Sequence, residues 1–363
     1  MKSDHRVFVG DARRMDELSD DSIELVVTSP PYPMIEMWDE TYRSMNPEVG
    51  SALETGAGWR AFELMHLELD RVWQECFRVL RPGCIACINV GDATRTIGGD
   101  FQLFPNHARI VQSACAMGFA TLPDILWRKQ TNAPTKFMGS GMLPAGAYVT
   151  YEHEYVLILR KGAKRVFKNE SEKQARRRSA FFWEERNTWF SDVWMDLKGT
   201  GQDLADPETR KRSGAYPFEL AYRLIQMYSL AGDTVLDPFL GTGTTTVAAI
   251  ASARNSVGIE IDPSIAGLVR SVVRSAREIG AARVRERLSS HRRFVRERQQ
   301  LGRPPKYANK RYGFPVVTLQ EVDLELYAPA QVSERSDHHF SVVHSSEVNE
   351  EEVVQAEFPL STS

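Results

Sequence analysis

The chain has 363 residues, 42% hydrophobic and 26% charged, which are ordinary proportions for a globular protein with room for a full α/β core and an attached module. Its net charge of −3 does not advertise a nucleic-acid partner in bulk. The charged start (Lys2, Asp4, His5, Arg6) has no apolar signal core, no apolar run approaches the ~20 residues of a membrane span, and the four cysteines do not suggest a disulfide scaffold, so a reducing, cytoplasmic setting without a membrane partner is expected.

In chain order, Arg6–Asp11 reads as a short strand ending in a turn, and Ile23–Thr28 as a second strand. That second strand closes at Ser29-Pro30-Pro31-Tyr32, because proline has no amide for the ladder. Phe62, Met65, Leu69, Val72, Trp73, Cys76, Phe77 and Leu80 recur at helical spacing, and Pro82-Gly83 stops the helix before a strand over 84–90. Cys84 and Cys87 sit in that apolar strand without a second ligand pair, so they read as small core residues and no metal site is expected. A helix near 106–117 and strands near 120–127 and 153–159 continue the alternation, and His107 and His153 read as structural. From 161 to 212 the rhythm breaks into a basic and aromatic stretch. It returns as a helix (218–228), a strand (234–236), a Gly/Thr loop, a helix (244–253) and a strand (256–261). Alternation of this kind predicts an α/β fold with a mostly parallel sheet and helices on both faces. Residues 281–300 read as a charged helix, after which the pattern fades into an acidic end that need not be ordered.

Two loops carry chemistry. Asp237-Pro238-Phe239-Leu240-Gly241-Thr242-Gly243 joins a strand to a helix, where open α/β sheets bind ligands, and Gly241 and Gly243 permit close backbone approach. Glu260 and Asp262 close the next strand about twenty residues later, placed to accept ribose hydroxyls. Neither a third glycine nor a Gly-Lys-Ser/Thr follows, so a nucleoside ligand without phosphates fits better than a dinucleotide or a nucleoside triphosphate. The Ser29–Tyr32 turn is rigid and presents carbonyl acceptors, one hydroxyl and an aromatic face. That set suits a planar group bearing an exocyclic amine, with Ser29 and the Pro30 carbonyl accepting its N–H bonds and Tyr32 stacking on the ring.

These residues resemble the motifs of the β group of DNA amino-methyltransferases of restriction–modification systems. Ser29-Pro30-Pro31-Tyr32 is similar to the catalytic motif (D/N/S)PP(Y/F/W), and Asp237–Gly243 to the S-adenosylmethionine loop. The catalytic motif comes first, the circularly permuted order of that group. The resemblance covers roughly 5–265. It implies a Rossmann-like S-adenosylmethionine-dependent methyltransferase fold, with Asp11 near the cofactor's adenine, Asp237 near its methionine part, and Pro238, Phe239, Gly241, Thr242 and Gly243 shaping the pocket. It further implies a target-recognition insertion over 161–212 between a catalytic half (1–160) and a cofactor half (213–280), with 281–363 as an extension.

The function so implied is methyl transfer from S-adenosylmethionine to the amine of a base flipped out of double-stranded DNA, in a prokaryotic cytoplasm at the nucleoid. Serine at position 29 resembles cytosine-N4 enzymes more than adenine-N6 enzymes. Catalysis would rest on positioning, with the proton leaving to water, and no Pro-Cys pair is present for a cytosine-C5 adduct. Methylation of RNA or of protein glutamine fits the motif order less well, and a non-catalytic DNA-binding regulator would have less need of both motifs. A cognate restriction endonuclease is a partner compatible with the family, and the oligomeric state is not legible.

Overall fold

The structure, a computed structural model, describes residues 1–129, 138–198 and 216–347. Its centre is one large sheet built from β1 (Lys2–Val9), β2 (Ile23–Thr28), β3 (Leu80–Val90), β4 (Phe119–Thr121), β5 (Ile125–Arg128), β6 (His153–Lys161), β7 (Val193–Trp194), β8 (Thr234–Asp237), β9 (Asn255–Glu260), β10 (Ala328–Ser336) and β11 (His339–Ser345). The order across it is β7-β5-β6-β3-β2-β8-β9-β1-β11-β10, with β4 pairing beside β6. The five middle strands β3, β2, β8, β9 and β1 are mutually parallel. The flanks reverse: β6 runs antiparallel to β3, and β11 antiparallel to β1.

The helices are α1 (Asp39–Met45), α2 (Pro47–Glu54), α3 (Gly58–Val79), α4 (Asn106–Met117), α5 (Glu170–Arg178), α6 (Trp183–Trp189), α7 (Phe218–Tyr228), α8 (Thr244–Ala251) and α9 (Pro263–Gln300). The sheet's side chains alternate between two cores. Val26, Ala86, Ile88 and Leu236 pack with α3 and α4, while Leu25, Val27, Cys87 and Val235 pack with α7 and α8. Every residue of β2 is buried, as a central parallel strand requires. Cys84 belongs to the first core and Cys87 to the second, so the two thiols leave opposite faces and cannot close on one ion.

Three boundaries differ from the sequence expectation. The third strand starts at Leu80 rather than 84: Ile23 pairs with Leu80 and Leu25 with Ile85, so Pro82-Gly83 forms a bulge within the strand. The boundary placed at 280 falls inside α9, a single 38-residue helix capped by Asp262 with Pro263 at its first turn. Gly280 does not interrupt it, since a Cβ there would lie 2.6 Å from Pro329 Cγ and glycine is what lets the helix pass. The extension after it is not a tail over its described part. Val284 and Leu288 share a small core with Phe182, Phe314 and Leu324, and the β10–β11 hairpin completes the sheet edge against β1. The last acidic residues, 348–363, lie outside the described residues. Among the described residues no helix is long and apolar enough to cross a membrane.

Candidate functional site

The carboxyl ends of β1, β2, β8 and β9 converge on a cavity of about 410 Å³. The connections leaving β2 and β8 run to opposite sides, since β2 leads to β3 and β8 to β9, so the cavity sits where strand order reverses. Of the residues singled out in the sequence, Asp11, Ser29, Pro30, Pro31, Tyr32, Pro238, Phe239, Gly241, Thr242, Glu260 and Asp262 line it together.

Asp237 and Gly243 stand behind the lining. Gly243 takes φ +94° at the start of α8, a conformation that favours glycine. Asp237 is buried and all its acceptor capacity is engaged: Thr28 Oγ1 donates at 2.6 Å, Tyr216 Oη at 3.2 Å, the Phe239 amide at 3.1 Å, and Thr245 Oγ1 donates as well. Burial pushes its carboxyl above the ordinary range despite these donors. The placement near the cofactor's methionine part is therefore corrected. Asp237 ties the end of β2, the glycine loop and Tyr216 into one wall, and presents no oxygen to the cavity.

Glu260 does face the cavity. Its Oε2 accepts the Gly241 amide at 2.8 Å and its Oε1 the Asp262 amide at 2.9 Å. A carboxylate offers about four lone-pair sites, so about two remain for hydroxyl groups. Burial raises its pKa, the two amides opposing. Asp262 caps α9 through the Ser264 amide at 2.8 Å. Asp11 is gripped by Arg13, whose Nη2 lies 2.6 Å from Oδ2, and Arg13 reaches on to Glu68 at 2.6 Å. Burial would raise the Asp11 carboxyl, but the hydrogen bonds and charge of Arg13 hold it below the usual range.

The Ser29–Tyr32 turn is fixed from both sides. Tyr42 Oη donates to the Pro31 carbonyl at 2.6 Å, and the Tyr32 carbonyl accepts the Ile35 amide. Among the described residues no donor meets the Pro30 carbonyl, which is left with the Ser29 hydroxyl as the turn's open acceptors. Tyr32 is not a free stacking platform at both ends: its hydroxyl contacts Ser29 Oγ at 3.0 Å and donates to Glu154 Oε2 at 3.0 Å. Burial and the Glu154 charge push its pKa well up. Glu154, Asn89 and Lys129 were missed in the sequence. They come from β6, β3 and the end of β5, and the one available signal was an acid, Glu154, opening the apolar run Tyr155–Leu159.

The lining holds five acids (Asp11, Glu68, Glu154, Glu260, Asp262) against two bases (Arg13, Lys129). Such a balance disfavours phosphates and suits a cationic nucleoside. The hydroxyl-accepting Glu260, the acid walls and the cavity size together fit S-adenosylmethionine.

The basic stretch lies elsewhere. β6 begins beside the cavity and, running antiparallel to β3, ends at the far end of the sheet. There Lys161 pairs with Asp21, and Arg165 clamps Asp233, the residue before β8, at 2.6 and 3.0 Å. A Cβ on Gly83 would lie 2.5 Å from the Arg165 amide, which places this segment against the start of β3. α5 follows on the same end, with Ser179 accepting the Ala231 amide at 2.9 Å. Phe182, Trp189 and Trp194 are buried rather than displayed. So the expectation that 161–212 forms one recognition module fails for residues 161–180, which face away from the cavity. Residues 199–212 lie outside the described residues. β7 runs parallel to β5 and so points back towards the cavity end, where Tyr216 lines the wall.

Comparison with known proteins agrees with this geometry. The N6/N4 methyltransferase family model, described as DNA methylase, matches residues 23–270. The chain is 50% identical over 350 residues to the Type II methyltransferase M.MthZI of Methanothermobacter thermautotrophicus, covering 96% of this chain and 97% of that one. It is 48% identical over 282 residues to the Type II methyltransferase M.MjaI of Methanocaldococcus jannaschii, covering 75% and 91%. Among solved structures, a DNA modification methylase of Thermus thermophilus, TTHA0409, crystallised with S-adenosyl-L-methionine, superposes with a TM-score of 0.59 at 32% identity over 75% of this chain and 94% of that one.

Proposed function

The chain belongs to the N6/N4 family of DNA methylases, the β-group amino-methyltransferases of restriction–modification type, and we propose that within it this enzyme methylates N4 of cytosine in double-stranded DNA. The observation that carries the reading is the pair of open acceptors, Ser29 Oγ and the Pro30 carbonyl, on the wall of a cavity that also holds Glu260. S-adenosylmethionine supplies an electrophilic methyl group.

The target base leaves the duplex to reach this wall. Pro30 and Ser29 accept the two N–H bonds of its amine and turn the nitrogen lone pair towards the methyl carbon. Tyr32 packs against the ring with its hydroxyl end tied down. Glu260 accepts the ribose hydroxyls, Asp11 and Arg13 border the adenine end, and Phe239 and the Gly241–Thr242 backbone close the methionine side. The residues contribute by orientation, a source that supplies ~7–11 kcal/mol in well-aligned intramolecular reactions. The amine's second proton leaves to water once the nitrogen is alkylated. Lys129, Glu154 and Tyr216 line the cavity, and the recognition surface is built around this rim in place of α5. The enzyme acts in the cytoplasm beside a cognate endonuclease.

Incubation with unmethylated genomic DNA and methyl-labelled S-adenosylmethionine, followed by nucleoside mass spectrometry, tests this. Labelled N4-methylcytosine is expected. Labelled N6-methyladenine overturns the base assignment, and label confined to RNA or protein overturns the function.

A further inference from the structure

Resting on the reading that a target amine enters beside Ser29, we infer that Glu154 is a positioning residue: anchored by Lys129, it fixes the direction of the hydroxyl chain Ser29–Tyr32–Glu154 so that Ser29 shows the substrate lone pairs and not a proton.

The argument is a count of hydrogens. Glu154 is buried, its Oε1 accepts Lys129 Nζ at 2.8 Å, and its Oε2 accepts Asn89 Nδ2 at 2.6 Å. A carboxylate has no hydrogen to give, so the Tyr32 hydroxyl, 3.0 Å away, must donate to it. Asn89 is held in the same sense. Its carbonyl turned towards the acid at 2.6 Å would be repulsive, so its amide nitrogen faces Glu154 and also donates to Tyr32 Oη at 3.0 Å. Tyr32 has one hydrogen, and Glu154 has taken it. The Ser29–Tyr32 contact at 3.0 Å can then be made in only one direction, from Ser29 to Tyr32. The phenol keeps that single hydrogen, since burial beside Glu154 holds its pKa well up.

The consequence falls on the cavity. With its hydrogen committed to Tyr32, Ser29 Oγ has only acceptor capacity left to face a ligand. An amino group, which brings N–H donors, is matched. A carbonyl group, which brings acceptors, is repelled. A hydrogen pointing inward would reverse this preference, and it would also occupy the nitrogen lone pair that must attack the methyl group.

The test reverses the chain. In Glu154→Gln, Lys129 holds the side-chain carbonyl and leaves the amide NH₂ facing Tyr32. The Tyr32 hydrogen then turns to Ser29, whose own hydrogen turns into the cavity. Binding is measured on duplexes carrying an amino or an oxo group at the mapped target: deoxycytidine against deoxyuridine, or deoxyadenosine against deoxyinosine. The wild type prefers the amino base. Glu154→Gln is expected to prefer the oxo base and to turn over roughly 10²-fold more slowly, as for one misdirected donor in a preorganised site, at unchanged cofactor affinity. In the double variant Lys129→Met/Glu154→Gln the amide is free to turn its carbonyl to Tyr32, and amino preference and most of the turnover return. Damage to the fold would not be repaired by a second substitution. Glu154→Gln retaining amino preference, or a double variant no better than the single, overturns the inference. A wild-type enzyme that transfers no methyl group to DNA overturns instead the function on which it rests.

Discussion

The two ends of the central sheet use charge in opposite ways. At the far end, Arg165 closes on Asp233, Lys161 on Asp21 and Arg81 on Glu24, and the buried Arg254 is wrapped by Ser229 and the Ser252 carbonyl. These named groups bond one another and leave little capacity for a ligand. At the cavity end, Ser29, the Pro30 carbonyl and Glu260 keep acceptor capacity open inside the wall. Composition does not separate these regions; the far one is richer in arginine. What separates them is whether the polar groups are satisfied internally, and open capacity in a rigid frame is the mark of a site.

The comparison can be broken by substitution. The largest effect is expected at Asp237, the wall hub. Asp237→Ala leaves the buried hydroxyls of Thr28, Tyr216 and Thr245 without their acceptor, and at ~1–3 kcal/mol per orphaned group should cost about 3–5 kcal/mol in urea unfolding. Next comes Ser29→Ala. Removing one preorganised partner should lower kcat by about 10²–10³-fold while cofactor affinity holds, in steady-state kinetics beside calorimetry. Glu260→Gln should do the reverse. Losing charge-assisted bonds worth ~1.5–3 kcal/mol weakens cofactor binding at little cost to DNA affinity. Smallest of all is the triple change Arg176→Ala, Arg177→Ala and Arg178→Ala on α5. It should leave DNA affinity and its salt dependence unchanged, where loss of three phosphate contacts would flatten the salt slope by about 3 units. A flattened slope would return α5 to the recognition surface.

Much of the cavity end was legible because its chemistry is local in sequence. Pro30-Pro31 can only end a strand, and Gly241-Thr242-Gly243 can only begin a helix closely, so both loops announced themselves and their place at the strand ends. Glu154, Asn89 and Lys129 were hidden because they meet Tyr32 through pairing: β6 returns antiparallel beside β3 and sets Glu154 opposite Trp127 on β5. The same reversal explains the misplaced basic stretch. A count of lysine and arginine over 161–178 says nothing about which end of the sheet they reach, and one antiparallel strand carries them to the wrong one. Asp237 was misjudged for a related reason: its neighbours Thr28, Tyr216 and Thr245 are distant or unremarkable in sequence, yet together they exhaust its oxygens. The β10–β11 hairpin was illegible because an edge strand such as Gln331–Ser336 is exposed and polar, and so shows little apolar alternation.

The central claim is that cofactor and DNA meet the molecule at the cavity end. Hydrogen exchange of the backbone amides, compared between free enzyme and enzyme with target DNA and a non-reactive cofactor analogue, tests it most directly. The account predicts slowed exchange over Asp11–Arg14, Ile35–Met45, Ser140–Glu154 and Gly241–Thr244, with Arg165–Arg178 unchanged. Slowed exchange across Arg165–Arg178, with the cavity rim unaltered, would contradict it.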